Sequence, residues 1–157
     1  MEPRYIKGDA MRKHGAAFRK RVDPTAWMHA IRPSGQIDDS IRTAQSIALH
    51  GSLELLRINT AKSSTVISSA YNTVASAINI SWMLCELGIS DDLEGIGRAQ
   101  EALCRLFERG TADGVWAFDE TGWQDIQHAA QVYDAQLAIA TSKEVSDAIY
   151  KLRRRIG

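Results

Sequence analysis

Four histidines are the side chains best suited to acid–base or metal chemistry: His14, His29, His50 and His128. His128 follows Asp125 by three positions, a spacing that places both side chains on one side of a helix. Di-iron bundles use Glu-x-x-His pairs in this way, but they need two such pairs and two further glutamates. This chain offers one imperfect pair, so we expect a solvated Asp–His pair and no metal site.

His50 and Glu54 form a second pair, four positions apart. Zinc proteases carry His-Glu-x-x-His, and no segment matches that pattern. The segment Gly95-Ile96-Gly97 lacks the preceding strand and the third glycine of a dinucleotide-binding loop. Hydrolase, P-loop and kinase signatures are also missing from the sequence. We therefore predict a protein that is not an enzyme, with no catalytic residue, no metal ligand and no cofactor.

Cys85 and Cys104 are the two thiols of the chain. A nucleophilic cysteine needs an activating base or a lowered pKa, and the adjacent Arg105 gives Cys104 only weak support. Both cysteines lie within or beside apolar stripes, which predicts packing thiols. The first residues lack the apolar core of an export signal, so we expect reduced thiols in the cytoplasm.

Positive charge is concentrated at the two ends of a chain whose net charge is zero. Residues 1–22 carry seven basic and two acidic side chains. Residues 143–157 carry five basic and two acidic side chains, and the segment between these two ends is acidic. Basic side chains can bind phosphates through counterion release. Five of them form the candidate nucleic-acid contact: Arg12, Lys13, Arg19, Lys20 and Arg21. No recognition helix is identifiable, so we favour a solvated arm and keep nucleic-acid binding as the alternative function.

Two tryptophans are candidate anchors for a protein partner. Trp82 falls off the main apolar stripe of its helix, and Trp116 lies in a short segment between helices. Exposed aromatic side chains dominate binding interfaces. Alternatively, Trp116 folds over the bundle as a plug, and for that residue we favour the plug.

These side chains must be positioned by helices, because apolar residues recur at helical spacing from residue 36 onward. We predict an all-α fold, a single-domain irregular bundle of four to five principal helices spanning residues 36–157, with the 65–87 helix at its centre. A basic arm with short helices precedes it at residues 1–35. The five helices are predicted at about residues 39–59, 65–87, 90–109, 121–140 and 141–156.

Local signals set several of these boundaries. Gly88 followed by an apolar residue predicts a helix end with a left-handed glycine. Gly110 is predicted to end the next helix. Thr121 and Thr141, each followed three residues later by Gln or Glu, predict capping boxes. In the 39–59 helix, the core side is predicted to include Ala44, Ala48 and Leu55, with Ile47, Leu49, Leu53 and Leu56 beside them.

The most apolar segment, Val66 to Leu87, is interrupted by seven Ser, Thr and Asn residues. A membrane-spanning helix needs about 20 predominantly apolar residues. We therefore predict a buried helix there and no membrane partner.

The run Ala77-Ile78-Asn79-Ile80-Ser81-Trp82-Met83-Leu84-Cys85-Glu86-Leu87-Gly88-Ile89 resembles part of uncharacterised small helical proteins encoded in prophages and plasmids of proteobacteria. The stretch from Trp116 to Leu137, with Ala140-Thr141, is similar to them as well. The resemblance covers about residues 75–155 and consists of packing residues. It implies an accessory protein of a mobile element, acting inside a bacterial cell, and transfers no catalytic residue.

The leading hypothesis is therefore a non-enzymatic helical interaction module, an accessory, regulatory or inhibitor protein of a phage or plasmid. It would bind a protein partner or a second copy of itself. Such binding requires an exposed apolar patch of several hundred Å².

Overall fold

The computed structural model of the chain describes residues 35–58 and 62–156. In this part the fold is all-α and contains five helices, with one isolated antiparallel bridge between Gln36 and Thr141. The helices are α1 (Asp39–Leu55), α2 (Ser64–Glu86), α3 (Leu93–Asp113), α4 (Glu120–Ile139) and α5 (Ser142–Ile156). All five contribute to one hydrophobic cluster. The predicted all-α bundle is confirmed.

Helix α2 is the centre of the bundle, as predicted, because it packs against each of the other four helices. Most of its side chains from Ser68 to Cys85 are buried. Its end is the predicted glycine cap. Gly88 has φ of 85°, the Ile89 amide donates to Leu84 O at 3.0 Å, and the Gly88 amide donates to Cys85 O at 3.0 Å. These two bonds form a Schellman motif, which satisfies carbonyls at the helix end.

Two boundaries around α3 and α4 differ from the prediction. Helix α3 continues through Gly110, which packs against a neighbouring aromatic ring, and ends at Gly114 with φ of 71°. Asp119, and not Thr121, caps α4, since its carboxylate accepts from the Gly122 amide at 2.6 Å. Asp119 has extended backbone angles immediately before the helix, so its oxygen reaches that amide.

The Thr141–Glu144 capping box at the start of α5 is confirmed. The Thr141 amide donates to Glu144 Oε1 at 2.9 Å, and the Glu144 amide donates to Thr141 Oγ1 at 3.1 Å. The same joint anchors the start of the described chain. Gly35 O accepts from the Ser142 amide at 2.9 Å and from the Ser142 hydroxyl at 3.0 Å. The chain therefore enters α1 from the α4–α5 joint.

Helix α1 lies on the outside of the bundle and packs mainly against α2 and α4. It turns Leu49, Leu53 and the capping residue Leu56 toward the core. The predicted core positions Ala44, Ala48 and Leu55 are exposed instead, so that part of the prediction is wrong. A peripheral helix buries only one side of its surface, whereas the apolar residues of α1 lie on two sides.

Candidate interaction surface

The outward side of α1 carries an exposed apolar stripe. Ile47 is 69% exposed, Leu55 is 41% exposed, and Ile58, just beyond the helix, is 58% exposed. The stripe consists of Ala44, Ile47, Ala48, Gly51, Leu55 and Ile58, all exposed. At about 100° per residue, the five helical members fall within roughly 100° of arc. Surface helices normally place polar residues on this side, so the stripe is the most unusual surface feature of the described residues.

Buried Leu49 and Leu53 set which side of α1 faces outward, and polar contacts with α4 reinforce that orientation. His50 Nε2 lies 2.8 Å from Asp134 Oδ2, and the Ser46 hydroxyl donates to the same oxygen at 3.3 Å. At the other end of the helix, Arg57 lies 3.5 Å from the Glu54 carboxylate and 5.2 Å from the centre of the Trp123 ring. These contacts hold the polar flank of α1 against the bundle and leave the stripe in solvent.

A polar groove of about 420 Å³ lies beside this flank, between α1 and α4. Its lining includes Arg42, Ser46 and Asp134. Arg42 is paired with Asp39, and Ser46 with Asp134. Ser46 and His50 both contact one oxygen of the aspartate, whereas a hydrolase triad places the imidazole between serine and aspartate. The arrangement therefore orients α1 and does not form a nucleophile–base relay.

Trp82 is buried, and its proposed role as an exposed anchor is wrong. The side chain is 1% exposed, and its indole N–H donates to Glu86 Oε1 at 2.9 Å. Because α2 is surrounded by helices, a residue off its main stripe still faces a neighbouring helix. An interface role would require this ring to leave the core.

Trp116 is half-buried and forms the plug favoured above. Its ring stands nearly edge-on to Tyr71 and Phe107, with centroid distances of 6.1 and 5.8 Å. The ring lies against the Cα of Gly110, where no side chain intervenes. Edge-to-face contacts of this kind stabilise by about 0.5–1.5 kcal/mol each. Trp116 therefore closes the end of α3 and is not a free anchor.

Asp125 and His128 do not form the predicted pair with each other. Each contacts a different side chain, one on α3 and one at the cap of α3. Asp125 lies 3.5 Å from Arg98, while His128 Nε2 lies 2.5 Å from Asp92 Oδ2. The His128 hydrogen bond is the main cause of the lowered pKa of Asp92, and it exceeds the opposing effect of burial. Asp92 also caps α3 by accepting from the Gly95 amide at 3.1 Å. The histidine thus strengthens a helix cap.

The two cysteines have different surroundings. Cys85 is buried, as predicted, with Ser90 Oγ at 3.1 Å and the Gln136 amide nitrogen at 3.3 Å. Burial raises the pKa of the Cys85 thiol despite those hydrogen bonds, which disfavours the reactive thiolate. Cys104 is exposed, so the predicted packing role is wrong for this residue. It lies on the outer side of α3, and its neighbours along the sequence did not reveal that orientation.

A second Arg–carboxylate cluster joins α3 to the start of α4. Arg105 and Arg109 approach Asp119 Oδ2 at 3.2 and 3.3 Å. Burial alone would raise the pKa of Asp119, but the Gly122 amide and the two guanidinium groups outweigh it and lower the pKa. Arg109 also donates to Ala117 O. This cluster holds the chain that carries Trp116.

Within residues 35–58 and 62–156, no group of three or more His, Cys, Asp or Glu side chains is arranged to hold a metal ion. None of the helices described there combines the length and hydropathy needed to cross a bilayer. The candidate nucleic-acid contact lies outside the described residues and stays a prediction: Arg12, Lys13, Arg19, Lys20 and Arg21.

The exposed apolar stripe of α1 was not predicted from the sequence, although the wide distribution of apolar residues around that helix was a signal for it. The spacing of apolar residues predicts one broad core face that contains Ile47 and Leu55 together with Leu49 and Leu53. A helix with apolar residues over so wide an arc has two candidate faces. The polar residues Ser46 and His50, which pair with α4, separate them.

No protein-family model matches the chain, and neither curated proteins nor solved structures show a significant similarity to it. The resemblance to prophage and plasmid proteins therefore stays a prediction.

Proposed function

We propose that this chain is a non-enzymatic protein-interaction module, and that the apolar stripe of α1 binds an apolar helix face of a protein partner. The observation that carries the proposal is the contiguous exposure of Ile47, Gly51 and Leu55 on one side of a well-packed helix. Scattered exposed apolar residues are normal on protein surfaces. Contiguous ones mark binding sites.

The stripe has enough apolar surface for a modest interaction. Burying a whole Ile or Leu side chain is worth roughly 1.5–3 kcal/mol. Weighting that value by the exposed fractions of Ile47, Leu55 and Ile58 gives about 2.5–5 kcal/mol for this face alone. Because association carries an entropic cost, the partner must add matching apolar surface. A reversible regulatory contact fits this magnitude better than a permanent assembly.

Site-specific photo-crosslinking in cells tests the proposal. A photoreactive amino acid at residue 47 should produce a discrete, heavier adduct, because that side chain would lie inside the interface. The matched control is Glu108, an exposed position on α3. The adduct should disappear when Leu55→Glu is added to the residue-47 protein, since a carboxylate would then face apolar surface. Equal labelling at positions 47 and 108 would contradict the proposal.

The biological setting is part of the same proposal. The resemblance of residues 75–155 supports an accessory, regulatory or inhibitor role in a phage or plasmid, within the bacterial cytoplasm. Small proteins of that kind act by binding other proteins, which fits a module built around one exposed helix face. Mass-spectrometric identification of the adduct at residue 47 tests this setting directly.

A further inference from the structure

We infer that the stripe binds the α1 helix of a second copy of this chain, in an antiparallel pair whose two-fold axis passes beside Gly51. This inference rests on the proposed function and specifies its partner. A two-fold interface uses the same patch on both subunits, so the patch must be complementary to itself. The stripe of α1 meets that condition in its spacing and its shape, and its flanking side chains permit it.

The spacing of the stripe is symmetric about Gly51. Ile47 and Leu55 lie four residues before and after the glycine, and Ala44 and Ile58 lie seven residues before and after it. An antiparallel copy related by a two-fold axis at Gly51 therefore places Ile47 at the level of Leu55 of the second copy. It also brings Ala44 toward Ile58, which lies just beyond the end of the helix. Every large side chain of the stripe then meets an apolar residue.

The residue at the axis suits the close approach of two helices. Gly51 has no side chain, and a methyl group added there would meet no atom of residues 35–58 and 62–156 within 4 Å. Ala48 lies one turn away and is also small. Packed helices approach to about 8–10 Å between axes, and the shorter distances need small residues at the crossing point. The backbone at Gly51 is open to the second copy.

The side chains beside the stripe are compatible with this arrangement. A two-fold antiparallel pair brings the same flank of both helices together. Glu54 and His50 share one flank of α1, and Glu54 of each copy would lie within about 3 Å, measured along the axis, of His50 of the other. The two Glu54 side chains would stay about 9 Å apart along the axis. Because His50 is held by Asp134 of its own chain, this flank permits the pairing without driving it.

A parallel pair would lose these features. The two helix dipoles would then point the same way, and Glu54 would face the flank that lacks His50. Even the antiparallel interface is small, because one helix stripe supplies it. Interfaces below about 1,200 Å² belong to weak and transient complexes. We therefore expect weak, reversible dimerisation and not a permanent dimer.

Disulfide trapping in the full-length protein tests the geometry. In a Cys104→Ser background, Gly51→Cys should form an intermolecular disulfide, because two Cα atoms at the axis of packed helices lie about 5 Å apart. Ala44→Cys alone should not, because its twin would lie about 21 Å away along the axis. A mixture of Ile47→Cys and Leu55→Cys chains should form the disulfide, because both positions lie inside the helix. Glu108→Cys measures the rate of random collision.

The expected result is a Gly51→Cys dimer that forms at least ten-fold faster than the Glu108→Cys dimer. Adding Leu55→Glu should abolish that advantage. Three results would overturn the inference. They are equal rates at residues 51 and 108, self-crosslinking at residue 44 as fast as at residue 51, and slow labelling of the Gly51→Cys thiol by a small thiol reagent at a dilution where the chain is monomeric, which would indicate coverage within the same chain.

The two proposals fail differently. A photo-adduct of residue 47 with another protein, combined with no disulfide at residue 51, refutes the second copy and leaves the interaction module standing. An adduct with the chain itself and a fast disulfide at residue 51 support both. The absence of both signals refutes both.

Discussion

Replacing Gly110 by alanine tests whether the Trp116 ring closes the end of α3. A methyl group at residue 110 would overlap the ring, with Cε3 only 2.6 Å away. Ordinary carbon contacts lie at about 3.5–4.0 Å. The ring is held in place from its other sides by Tyr71 and Phe107, at centroid distances of 6.1 and 5.8 Å. The added methyl must therefore displace either the ring or the helix.

The expected loss of stability follows from two opposing effects. Gly-to-Ala in a helix interior stabilises by about 1 kcal/mol. Overpacking costs up to about 3 kcal/mol. Expelling the Trp116 ring instead would forfeit two aromatic contacts, about 1–3 kcal/mol, together with buried apolar surface. Either response leaves Gly110→Ala about 2 kcal/mol less stable, which lowers the melting temperature by about 4–8 °C for a chain of this length.

Urea denaturation at low micromolar concentration, followed by circular dichroism, measures the effect. Gly51→Ala is the matched control, because it is the same substitution at an open position and should stabilise by up to about 1 kcal/mol. A double-mutant cycle with Trp116→Ala sharpens the test, since Gly110→Ala should become neutral or stabilising once the ring is gone. A loss of the same size without the ring, or no loss with the ring present, would refute the reasoning.

Three further outcomes are expected. The pKa of Asp92 is lowered chiefly by the His128 hydrogen bond, so the stability it adds is present above about pH 4 and lost as pH falls through the lower folded-state pKa. Asp92→Asn should flatten that acid limb in urea titrations, and an unchanged limb would contradict the assignment. A thiol reagent should label exposed Cys104 in the native protein but buried Cys85 only on unfolding, and equal rates would argue against the fold. Thr141→Ala should cost about 1 kcal/mol by removing one half of the capping box, whereas Thr141→Ser should retain most of it; equal losses would count against the cap.

Agreement between sequence and structure is best where the signal is local. The Schellman motif at Gly88 and the capping box at Thr141 depend on hydrogen bonds that span only a few residues. The cap at Asp119 was missed in favour of Thr121, two residues later, because both can accept from a helix amide. Backbone geometry before α4 decides between them. Such errors move a boundary and leave the fold class unchanged.

An all-α fold with α2 at its centre follows from the sequence alone, because helical periodicity and terminal signals are encoded within single turns. The folded bundle establishes which arc of α1 is buried, that Trp82 lies in the core, and that Gly110 continues α3 beneath Trp116. Each of these depends on residues that are distant in sequence. Burial of Leu49, Leu53 and Leu56 sets the rotation of α1, and the contact of His50 with Asp134 on α4 reinforces it. This rotation leaves Ile47 and Leu55 exposed.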